Sequence, residues 1–523
     1  MWSKNSVSLV YNICVIKKFT DMNVGKVLGE TAQRFPHKTA VIFKDEKISF
    51  SDLDLMATRL ANKLQGLDIK KGDRVAIVLP NSSQWVVAYF AMMKLGAISA
   101  PLDFRFKEEE LFPILKDARV KAIVTTSLYE SHDVFSKVES IKGIIMTGEE
   151  ITDGMLSYEE VMKDESLSAL VNVDVKEEEE AVYLYTSGTT GKPKGVVLTF
   201  ANLSLFPEAM DEICKTSESD VIGCLLPMSH ITGPILCNES VVRGSTLVIF
   251  DQLRPDKVMA AVEKHRVTYF HSVPPIFEAF LHVHHRERFD VSSLRFVSMM
   301  GTSVPLDLLK AFKKAFTSFP VIQGYGLTET SPFITVVPLE YEMKKMGSIG
   351  TAVPHAEIKL VDEKGIEVPS GEVGELIVKG PMLMKGYHNN PEATRERIRD
   401  GWLYTGDLCK KDEDDFYYHL GRKDDMIIVG GLNVYPAEVE QVLRGHPLLK
   451  EVGVVGVPDK DRGNIIKAAV VAEPGKEVSK KEIISYCRKR LASFKIPKMV
   501  EFWDKLPKSS TGKIARRLLV NSK

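Results

Sequence analysis

Apolar and polar positions along this chain follow two patterns that alternate at short intervals. From about residue 24, apolar residues at helical spacing give way to short, wholly apolar runs, which are typical of buried strands. Such runs predict strands at 39–43, 74–79, 97–102 and 121–126, and a long apolar helix at 83–95. Strands that alternate with helices in this way form parallel sheets covered by helices. The pattern therefore predicts an α/β fold with doubly wound sheets.

The same pattern resumes in the middle of the chain and then changes. Apolar runs at 245–250, 267–273 and 294–300 predict three more buried strands between helices. The runs at 357–361 and 374–379 belong to a stretch that is richer in strands and turns. The large N-terminal domain is therefore expected to contain a β-rich subdomain beside its doubly wound sheets.

The last hundred residues show the signs of a separate unit. They follow the charged turn 421-GRKDD and contain predicted strands at 452–457 and 467–472 and a helix near 480–491. These elements suffice for a small C-terminal α+β domain. The predicted boundaries are 1–23 for an N-terminal extension, with Met22 as an alternative start, 24–423 for the N-terminal domain and 424–523 for the C-terminal domain.

Composition narrows the classes of function. The chain carries 69 lysines and arginines against 70 aspartates and glutamates, which gives no electrostatic sign of nucleic-acid binding. Its six cysteines lack Cys-x-x-Cys spacing, so neither a disulfide framework nor a cysteine zinc site is indicated, and a reducing, cytoplasmic location is expected. No stretch reaches the roughly 18 apolar residues of a membrane helix. Peripheral membrane contact and a homodimer are left open.

The segment 185-YTSGTTGKPKG-195 is the first that points to chemistry. It lies between two apolar runs, so its plainest interpretation is a hairpin loop. Its composition is also that of a phosphate cradle, because glycines let main-chain N–H groups converge on an anion while hydroxyls, Lys192 and Lys194 add donors and charge. The P-loop pattern fails, since a proline follows Lys192. The segment predicts phosphate binding outside the P-loop class.

Four further segments contain residue types that nucleotide chemistry uses. They are 323-QGYGLTET-330, 404-YTGDL-408, 421-GRKDDMIIVGGLNVYPAEVE-440 and 506-LPKSSTGK-513. In this order, with the glycine-rich segment ahead of them, they closely resemble the signature motifs of the adenylate-forming superfamily. That superfamily contains acyl- and aryl-CoA synthetases, adenylation domains of peptide synthetases and luciferases, and the likeness is closest to fatty acyl-CoA synthetases. The resemblance covers nearly the whole chain and implies a small C-terminal domain that is mobile.

The resemblance assigns roles in ATP binding residue by residue. It implies that the glycine-rich segment holds the β- and γ-phosphates, that Tyr325 stacks on adenine and that Asp407 accepts ribose hydroxyls. Thr328 is expected at the α-phosphate and Glu329 at Mg²⁺, because a hard cation that bridges phosphates prefers a carboxylate. The residues assigned to ATP or AMP are Thr186, Ser187, Gly188, Thr189, Thr190, Gly191, Lys194, Gly301, Gln323, Gly324, Tyr325, Gly326, Asp407 and Arg422.

The resemblance also implies that the C-terminal domain serves both half-reactions. Lys513 matches the lysine that bridges the substrate carboxylate and the α-phosphate, where it stabilises developing charge. Asp424 matches a hinge about which the domain rotates, and the rotation carries Gly430 and Gly431 to the tunnel for the thiol of coenzyme A. The residues assigned to catalysis are therefore Lys513, Glu329 and Thr328.

The identity of the acid rests on fewer residues. The segment 227-PMSHITG-233 aligns with a pocket-lining motif in which amino-acid-activating members usually place an aspartate, and it has none. Its side chains suggest an apolar acyl or aryl tail, so we expect a medium- to long-chain fatty acid, with an aryl acid as the alternative. His230 leaves a short or dicarboxylic acid open as a further alternative. The residues assigned to the acyl pocket are His230, Ile231 and Gly233, with Val273 and Phe277 beside them.

The expected enzyme is an AMP-forming acid–thiol ligase that uses ATP, Mg²⁺ and coenzyme A. Coenzyme A and carrier proteins present the same phosphopantetheine thiol, so the motifs leave open a ligase that loads a carrier protein. A luciferase-type oxygenase is another alternative, as is an adenylate-binding protein without ligase activity. An adenylate-binding protein without ligase activity would be expected to lack some of the motif residues, yet Glu329, Asp407 and Lys513 are all present.

Overall fold

The structure of the chain is a computed structural model. It describes residues 23–129, 132–169, 173–187, 193–301, 304–429, 432–459, 463–508 and 514–520, with the backbone alone at Ser187. In these ranges, two large mixed sheets and one antiparallel sheet precede Asp424, and a fourth sheet follows it.

The first sheet has nine strands, of which the six central ones run parallel. In spatial order the strands are β16 (Thr351–Ala352), β15 (Phe333–Val336), β14 (Val321–Gly326), β13 (Phe296–Met299), β12 (Tyr269–Ser272), β10 (Val221–Cys224), β11 (Thr246–Ile249), β1 (Thr39–Phe43) and β2 (Glu46–Ser49). The strand order reverses between β10 and β12, because β11 lies on the far side of β10. In open α/β sheets, ligands bind beyond the carboxyl ends of the strands at such a reversal.

The second sheet has eight strands and carries the glycine-rich segment at one side. In spatial order the strands are β7 (Leu156–Ser157), β6 (Gly143–Thr147), β5 (Ala122–Thr126), β3 (Arg74–Val78), β4 (Ile98–Pro101), β8 (Glu180–Ser187), β9 (Pro193–Thr199) and β19 (Gly386–Tyr387). β8 and β9 pair antiparallel up to Ser187 and Pro193. The two described ends of the glycine-rich segment thus lie on paired strands of a hairpin, as its position between two apolar runs indicates.

The third and fourth sheets form the β-rich subdomain and the C-terminal unit. The third is antiparallel and consists of β17 (Glu357–Val361), β18 (Val373–Lys379), β21 (Trp402–Lys411), β20 (Ile398–Arg399) and β22 (Tyr417–Arg422). The fourth consists of β24 (Leu432–Val434), β23 (Ile427–Val429), β26 (Gly463–Ala472), β25 (Leu449–Asp459) and β27 (Met499–Phe502). The short helix Lys423–Asp425 joins the two sheets.

Fifteen α-helices lie in the described ranges and cover the sheets. They are α1 (Val24–Arg34), α2 (Phe50–Gly66), α3 (Ser83–Leu95), α4 (Glu108–Asp117), α5 (Asp133–Ser136), α6 (Tyr158–Lys163), α7 (Phe200–Cys214), α8 (Thr232–Arg243), α9 (Pro255–His265), α10 (Pro274–Leu281), α11 (Leu306–Ala315), α12 (Pro391–Arg397), α13 (Pro436–Arg444), α14 (Lys480–Arg488) and α15 (Arg516–Val520). The described 3₁₀ helices are Glu165–Leu167, Arg286–Arg288, Thr328–Thr330, Leu339–Tyr341, Lys423–Asp425 and Ser493–Lys495.

The largest hydrophobic core contains helix α3 and apolar residues of the two large sheets. The side chain of Ser82 accepts a hydrogen bond from the N–H of Trp85 and so begins the helix, and Gly96 ends it in the left-handed conformation at φ 65°. Trp85 and Tyr89 stack with ring centroids 5.6 Å apart. Because nearly every residue of α3 is buried, the helix packs against both sheets and holds them together.

Candidate active site

A cavity of about 1400 Å³ lies beyond the carboxyl ends of the central strands of the first sheet. Its walls include Leu226 and Pro227 after β10, Val273 after β12 and Met300 after β13. These positions surround the reversal of strand order, where the fold itself predicts a ligand site. The opposite wall comes from the third sheet, the Lys423–Asp425 helix and the C-terminal unit.

The hairpin β8–β9 brings the predicted phosphate-binding residues to this cavity. Thr186 and Lys194 line the cavity and are paired residues of the hairpin. The Nζ atom of Lys194 lies 5.2 Å from the ring centroid of Tyr387, and Lys194 forms no salt bridge with the described residues. The predicted residues Gly188, Thr189, Thr190 and Gly191 lie outside the described ranges, as does the side chain of Ser187.

The predicted metal ligand, Glu329, lies in the 3₁₀ helix Thr328–Thr330, which follows β14 and lines the cavity. Its Oε1 atom accepts a hydrogen bond of 2.8 Å from the hydroxyl of Tyr387. Burial, and next the negative charge of Glu329, raise the pKa of Tyr387, so the phenol stays protonated and keeps donating. No lysine or arginine in the described part forms a salt bridge with Glu329. A half-buried carboxylate that faces a cavity in this way can bind a cation.

The predicted ribose acceptor, Asp407, lies in a hydrogen-bonded network between β21 and β22. Its Oδ2 atom accepts bonds from the hydroxyl of Tyr325 at 2.5 Å and from Arg422 at 3.2 Å, and its Oδ1 atom accepts one from His419 at 3.2 Å. Asp407 and Arg422 are register partners of the two strands. The rings of Tyr325 and His419 stack, with centroids 5.8 Å apart. Three predicted nucleotide residues are thus in direct contact.

The same network sets the charge of Asp407, which is only 3% exposed. Burial raises the pKa of this carboxyl group. The hydrogen bond from His419 and the charges of His419 and Arg422 together lower the pKa by more than burial raises it. The net effect holds the pKa of Asp407 below its ordinary value, so the group is a carboxylate at neutral pH. Arg422 lines the cavity, whereas Tyr325 and Asp407 lie just behind it.

Glycine is required where the predicted nucleotide segments approach other backbone. A Cβ atom at Gly326 would lie 1.5 Å from the carbonyl oxygen of Pro332, and one at Gly324 would lie 2.9 Å from the carbonyl oxygen of Thr335. Both glycines line the cavity, as does Gly301, which has φ 86°. Gln323 is buried in the middle of β14, with 4% of its surface exposed, and does not line the cavity.

Two further side chains reach the site without belonging to any predicted motif. They are Tyr387, which links Lys194 to Glu329, and Arg397 at the end of α12. The guanidinium groups of Arg397 and Arg422 both approach Gly406, within 3.4 Å and 3.0 Å of the position that a Cβ atom would take there. Lys194, Arg397 and Arg422 therefore make this side of the cavity suited to phosphate groups.

On the acyl side, the structure supports part of the prediction. His230, Ile231 and Val273 line the cavity. Gly233 does not line it, because it packs against the backbone of Met228, where a Cβ atom would lie 2.1 Å from the carbonyl oxygen. Phe277 is also not in the wall, since its ring is fully buried in a hydrophobic core to which α10 contributes.

The wall on the acyl side contains further residues that no motif indicated. They are Ile235, His271, Met300, Pro332 and Phe333. No sequence signal marks them, because they belong to apolar runs that also form the core.

The predicted hinge residue Asp424 lies between two sets of ion pairs. On its N-terminal side, Arg422 binds Asp407 and the Nζ atom of Lys423 lies 3.0 Å from Glu375, which anchors both to the third sheet. On its C-terminal side, Asp425 lies 3.1 Å from Arg516 of α15, which also binds Glu440 of α13 at 2.8 Å. Asp424 itself is exposed, lines the cavity and forms no salt bridge with the described residues.

Three predicted residues of the C-terminal domain, one assigned to the first half-reaction and two to the second, cannot be placed. Lys513, Gly430 and Gly431 lie outside the described ranges. Their neighbours are described: Lys508 and Ile514 form an isolated bridge, and Arg516 and Arg517 line the cavity. The C-terminal unit thus contributes positive charge to the same cavity.

The family was identified from comparisons with known proteins. The family model described as AMP-binding enzyme matches residues 28–388, and the model described as AMP-binding enzyme C-terminal domain matches residues 438–513. The chain belongs to the AMP-binding enzyme family. This confirms the predicted membership of the adenylate-forming superfamily, together with the predicted fold class.

Curated relatives of the AMP-binding enzyme match nearly end to end. The chain is 35% identical to a long-chain-fatty-acid–CoA ligase of Bacillus subtilis, with 94% of this chain and 93% of the relative covered. It is 34% identical to a feruloyl-CoA synthase of an Amycolatopsis species, with 93% and 96% covered. Both relatives are named as enzymes that join a carboxylic acid to coenzyme A, although their acids differ in class. The predicted enzyme class, an AMP-forming acid–thiol ligase, is confirmed.

Solved structures match the fold of this AMP-binding enzyme over the same length. The o-succinylbenzoate CoA synthetase of Bacillus subtilis, solved with the acyl-adenylate intermediate OSB-AMP, has a TM-score of 0.86 and 32% identity, with 95% of this chain and 98% of that chain covered. The same synthetase was also solved with ATP and a magnesium ion, with a TM-score of 0.84, 33% identity and coverage of 94% and 98%. Among the described residues of this chain, no helix is long and apolar enough to cross a membrane.

Proposed function

We propose that the chain joins a carboxylic acid to coenzyme A in two steps at the cavity described above. In the first step a carboxylate oxygen bonds to the α-phosphorus of ATP, the bond to the β-phosphate breaks, and pyrophosphate leaves. In the second step the thiol sulfur bonds to the acyl carbon, the bond from that carbon to AMP breaks, and the thiol proton is released to solvent. The observation that supports this most directly is the convergence of Glu329, Lys194 and Arg422 on one cavity, beside an apolar wall.

Phosphate binding is assigned to the positively charged side of that cavity. Lys194 and Arg397 face it without a salt-bridge partner in the described part of the chain, so their charge is available to an anion. The hydroxyl and main-chain donors of the glycine-rich segment are proposed to complete the cradle. Thr328 lines the cavity next to Glu329 and is proposed to contact the α-phosphate.

Mg²⁺ fits the site through Glu329. The described residues contain no group of three or more metal-binding side chains, so a cage made only of protein is not available there. Mg²⁺ does not need one, since it commonly binds through one or two carboxylates together with phosphate oxygens and water. When bound with ATP, it supplies charge compensation for the phosphates. Tyr387 orients the Glu329 carboxylate by its hydrogen bond of 2.8 Å.

Replacing Glu329 by glutamine is expected to lower the rate of acyl-AMP formation by about 10²-fold, the scale for removal of one preorganised charge. The amide oxygen can still accept the Tyr387 hydrogen bond, so the change removes charge and little else. The variant should also need more Mg²⁺ for half-maximal rate, which a Mg²⁺ titration of ATP/pyrophosphate exchange measures. Glu340→Gln, at an exposed position, is the matched control. An unchanged Mg²⁺ requirement in Glu329→Gln would contradict the assignment.

The adenosine half of ATP is assigned to the network around Asp407. The ring of Tyr325 is proposed to stack on adenine, and a carboxylate such as Asp407 can accept a ribose hydroxyl in addition to its present donors because its two oxygens have about four lone-pair sites. Arg422 is proposed to contact ribose or phosphate from the cavity wall. Gln323, Gly324 and Gly326 are proposed to border the adenine.

The ion pairs around Asp424 support the proposal that the C-terminal unit, residues 424–523, rotates about this residue. Residues 422 and 423 are fixed to the third sheet, residue 425 is fixed to α15, and Asp424 between them is exposed. A single residue in such a position can absorb the backbone change of a hinge. One orientation is proposed to bring Lys513 to the reacting phosphate, and the other to bring Gly430 and Gly431 to the thiol.

The acid is proposed to be a fatty acid of medium to long chain. Ile231, Ile235, Val273, Met300 and Phe333 give the cavity an apolar wall that suits a hydrocarbon tail. An aryl acid is the second candidate, because Phe333 and the imidazole rings of His230 and His271 lie in the same wall. The relatives named above include one ligase for each class. Cytoplasmic location remains part of the proposal.

The acceptor and the acid can be tested together. Purified protein is given ATP, Mg²⁺ and a panel of fatty, aryl and dicarboxylic acids, with either free coenzyme A or a phosphopantetheine carrier protein. The proposal predicts acid-dependent release of AMP and formation of acyl-CoA with free coenzyme A. Turnover only with the carrier protein would replace the CoA ligase by a loading enzyme. Light emission or oxygen uptake from acyl-AMP would favour a luciferase-type activity.

A further inference from the structure

The side chain of His271 is polar, whereas the side chains packed around it are mainly apolar. It lies at the third position of β12 and lines the cavity with only 4% of its surface exposed. Aromatic rings surround it, with centroids at 5.7 Å for Tyr269, 5.9 Å for Phe206 and 6.1 Å for Phe333. The side chain is therefore a polar group inside a hydrophobic pocket, at the point where the pocket meets the sheet.

Neither ring nitrogen of His271 has a hydrogen-bond partner among the described residues. The hydroxyl of Ser298, which is the register partner of His271 on the neighbouring strand β13, also has none there and is fully buried. Register partners place their side chains on the same face of a sheet. Buried polar groups are bonded in the large majority of cases, and each exception is destabilising. One exception in the cavity wall, His271, with a second beside it on the neighbouring strand, indicates a polar subsite.

The charge state of His271 determines which ligand suits this subsite. Burial alone lowers the pKa of its imidazole to about 4, and no charged group contributes. At neutral pH the ring is therefore uncharged, with one nitrogen that donates and one that accepts. Such a ring can bind a neutral hydroxyl or carbonyl oxygen. The uncharged ring has no positive charge to stabilise the second carboxylate of a dicarboxylic acid.

We propose that His271 is a specificity-determining residue, which hydrogen-bonds a neutral oxygen carried by the tail of the acid. This inference rests on the acid–CoA ligase activity proposed above and refines its substrate class. The preferred acid is then an oxygenated one, with a hydroxyl or carbonyl group on an otherwise apolar tail. A site built to bond such a group discriminates against the analogue that lacks it, because the imidazole is then left buried without a partner.

The test compares acids that differ only in this oxygen. The values of kcat/KM are measured for decanoate and its monohydroxylated derivatives along the chain, for cinnamate and its hydroxycinnamates, and for decanedioate. At least one oxygenated acid should exceed its parent by about 10-fold or more in the wild-type protein. His271→Leu should abolish that preference, and His271→Gln should keep part of it because the amide can still form hydrogen bonds. His284→Leu, at an exposed histidine, should leave the preference unchanged.

A melting experiment separates a substrate-binding role from a structural one. Because His271→Leu removes an unpaired buried polar group, its Tm should equal or exceed that of the wild type. Three results would overturn the inference while leaving the ligase intact. The parent acids could match or exceed every oxygenated acid in kcat/KM, decanedioate could be the preferred acid, or His271→Leu could keep the wild-type preference for an oxygenated acid. If no acid in the panel supports ATP/pyrophosphate exchange, the proposed function fails, and the inference fails with it.

Discussion

Replacing Lys513 by alanine is expected to lower the rate of acyl-AMP formation by about 10²-fold or more, the scale for removing one preorganised charge-stabilising group. The sequence L-P-K-x-x-x-G-K at 506–513 is the basis for this expectation, since Lys513 lies outside the described residues. If the lysine acts only while the carboxylate attacks ATP, the second step does not need it. Synthetic acyl-AMP should therefore still be converted to acyl-CoA at close to the wild-type rate.

The measurement is ATP/pyrophosphate exchange beside thioester formation from synthetic acyl-AMP, on the same preparation of folded protein. Lys505→Ala is the matched control, because Lys505 is an exposed lysine directly before this segment. It should leave both rates unchanged. A Lys513→Ala variant that loses both activities to the same extent would contradict a role confined to the first step.

Replacing Asp424 by proline is expected to have the opposite effect. Proline fixes φ near −65°, which is compatible with the 3₁₀ helix Lys423–Asp425 but restricts rotation about the proposed hinge. The variant should therefore be arrested in one orientation. ATP/pyrophosphate exchange should stay largely intact. Thioester formation from synthetic acyl-AMP should fall by at least about 10-fold, because that step needs the domain rotation that proline restricts.

Asp424→Ala serves as the control, since it removes the carboxylate but leaves the backbone free. It should behave like the wild type in both assays. If Asp424→Ala and Asp424→Pro impair thioester formation equally, the carboxylate rather than the rotation is responsible, and the hinge assignment is wrong.

The bounds of a helix could be predicted from sequence where the residues that cap it lie directly beside it in the chain. The helix predicted at 83–95 begins and ends at these residues because Ser82 and Gly96 cap it. Strands predicted at 267–273 and 294–300 are shorter in the structure, at Tyr269–Ser272 and Phe296–Met299, because pairing with neighbours rather than apolar composition sets their ends. Asp415, between β21 and β22, adopts the left-handed conformation at φ 62°, so this turn forms without glycine.

The candidate site was predictable only where its residues lie in short motifs. Glu329, Asp407 and Arg422 could be named from the motifs, and the structure brings the last two into contact. Tyr387, Arg397 and His271 could not, because they reach the site through the packing of distant segments and no local spacing marks them. Gly233 lies next to lining residues in sequence, but in the first turn of α8 it packs against the backbone of Met228.

The central claim is that the acid is activated as acyl-AMP, and an oxygen-labelled acid tests it most directly. The protein is given an acid with ¹⁸O in both carboxylate positions, together with ATP, Mg²⁺ and coenzyme A, and the products are analysed by mass spectrometry. If the carboxylate attacks the α-phosphorus, one labelled oxygen leaves with AMP and the other stays in the acyl-CoA. Label in phosphate or pyrophosphate, or unlabelled AMP beside acyl-CoA, would contradict the account.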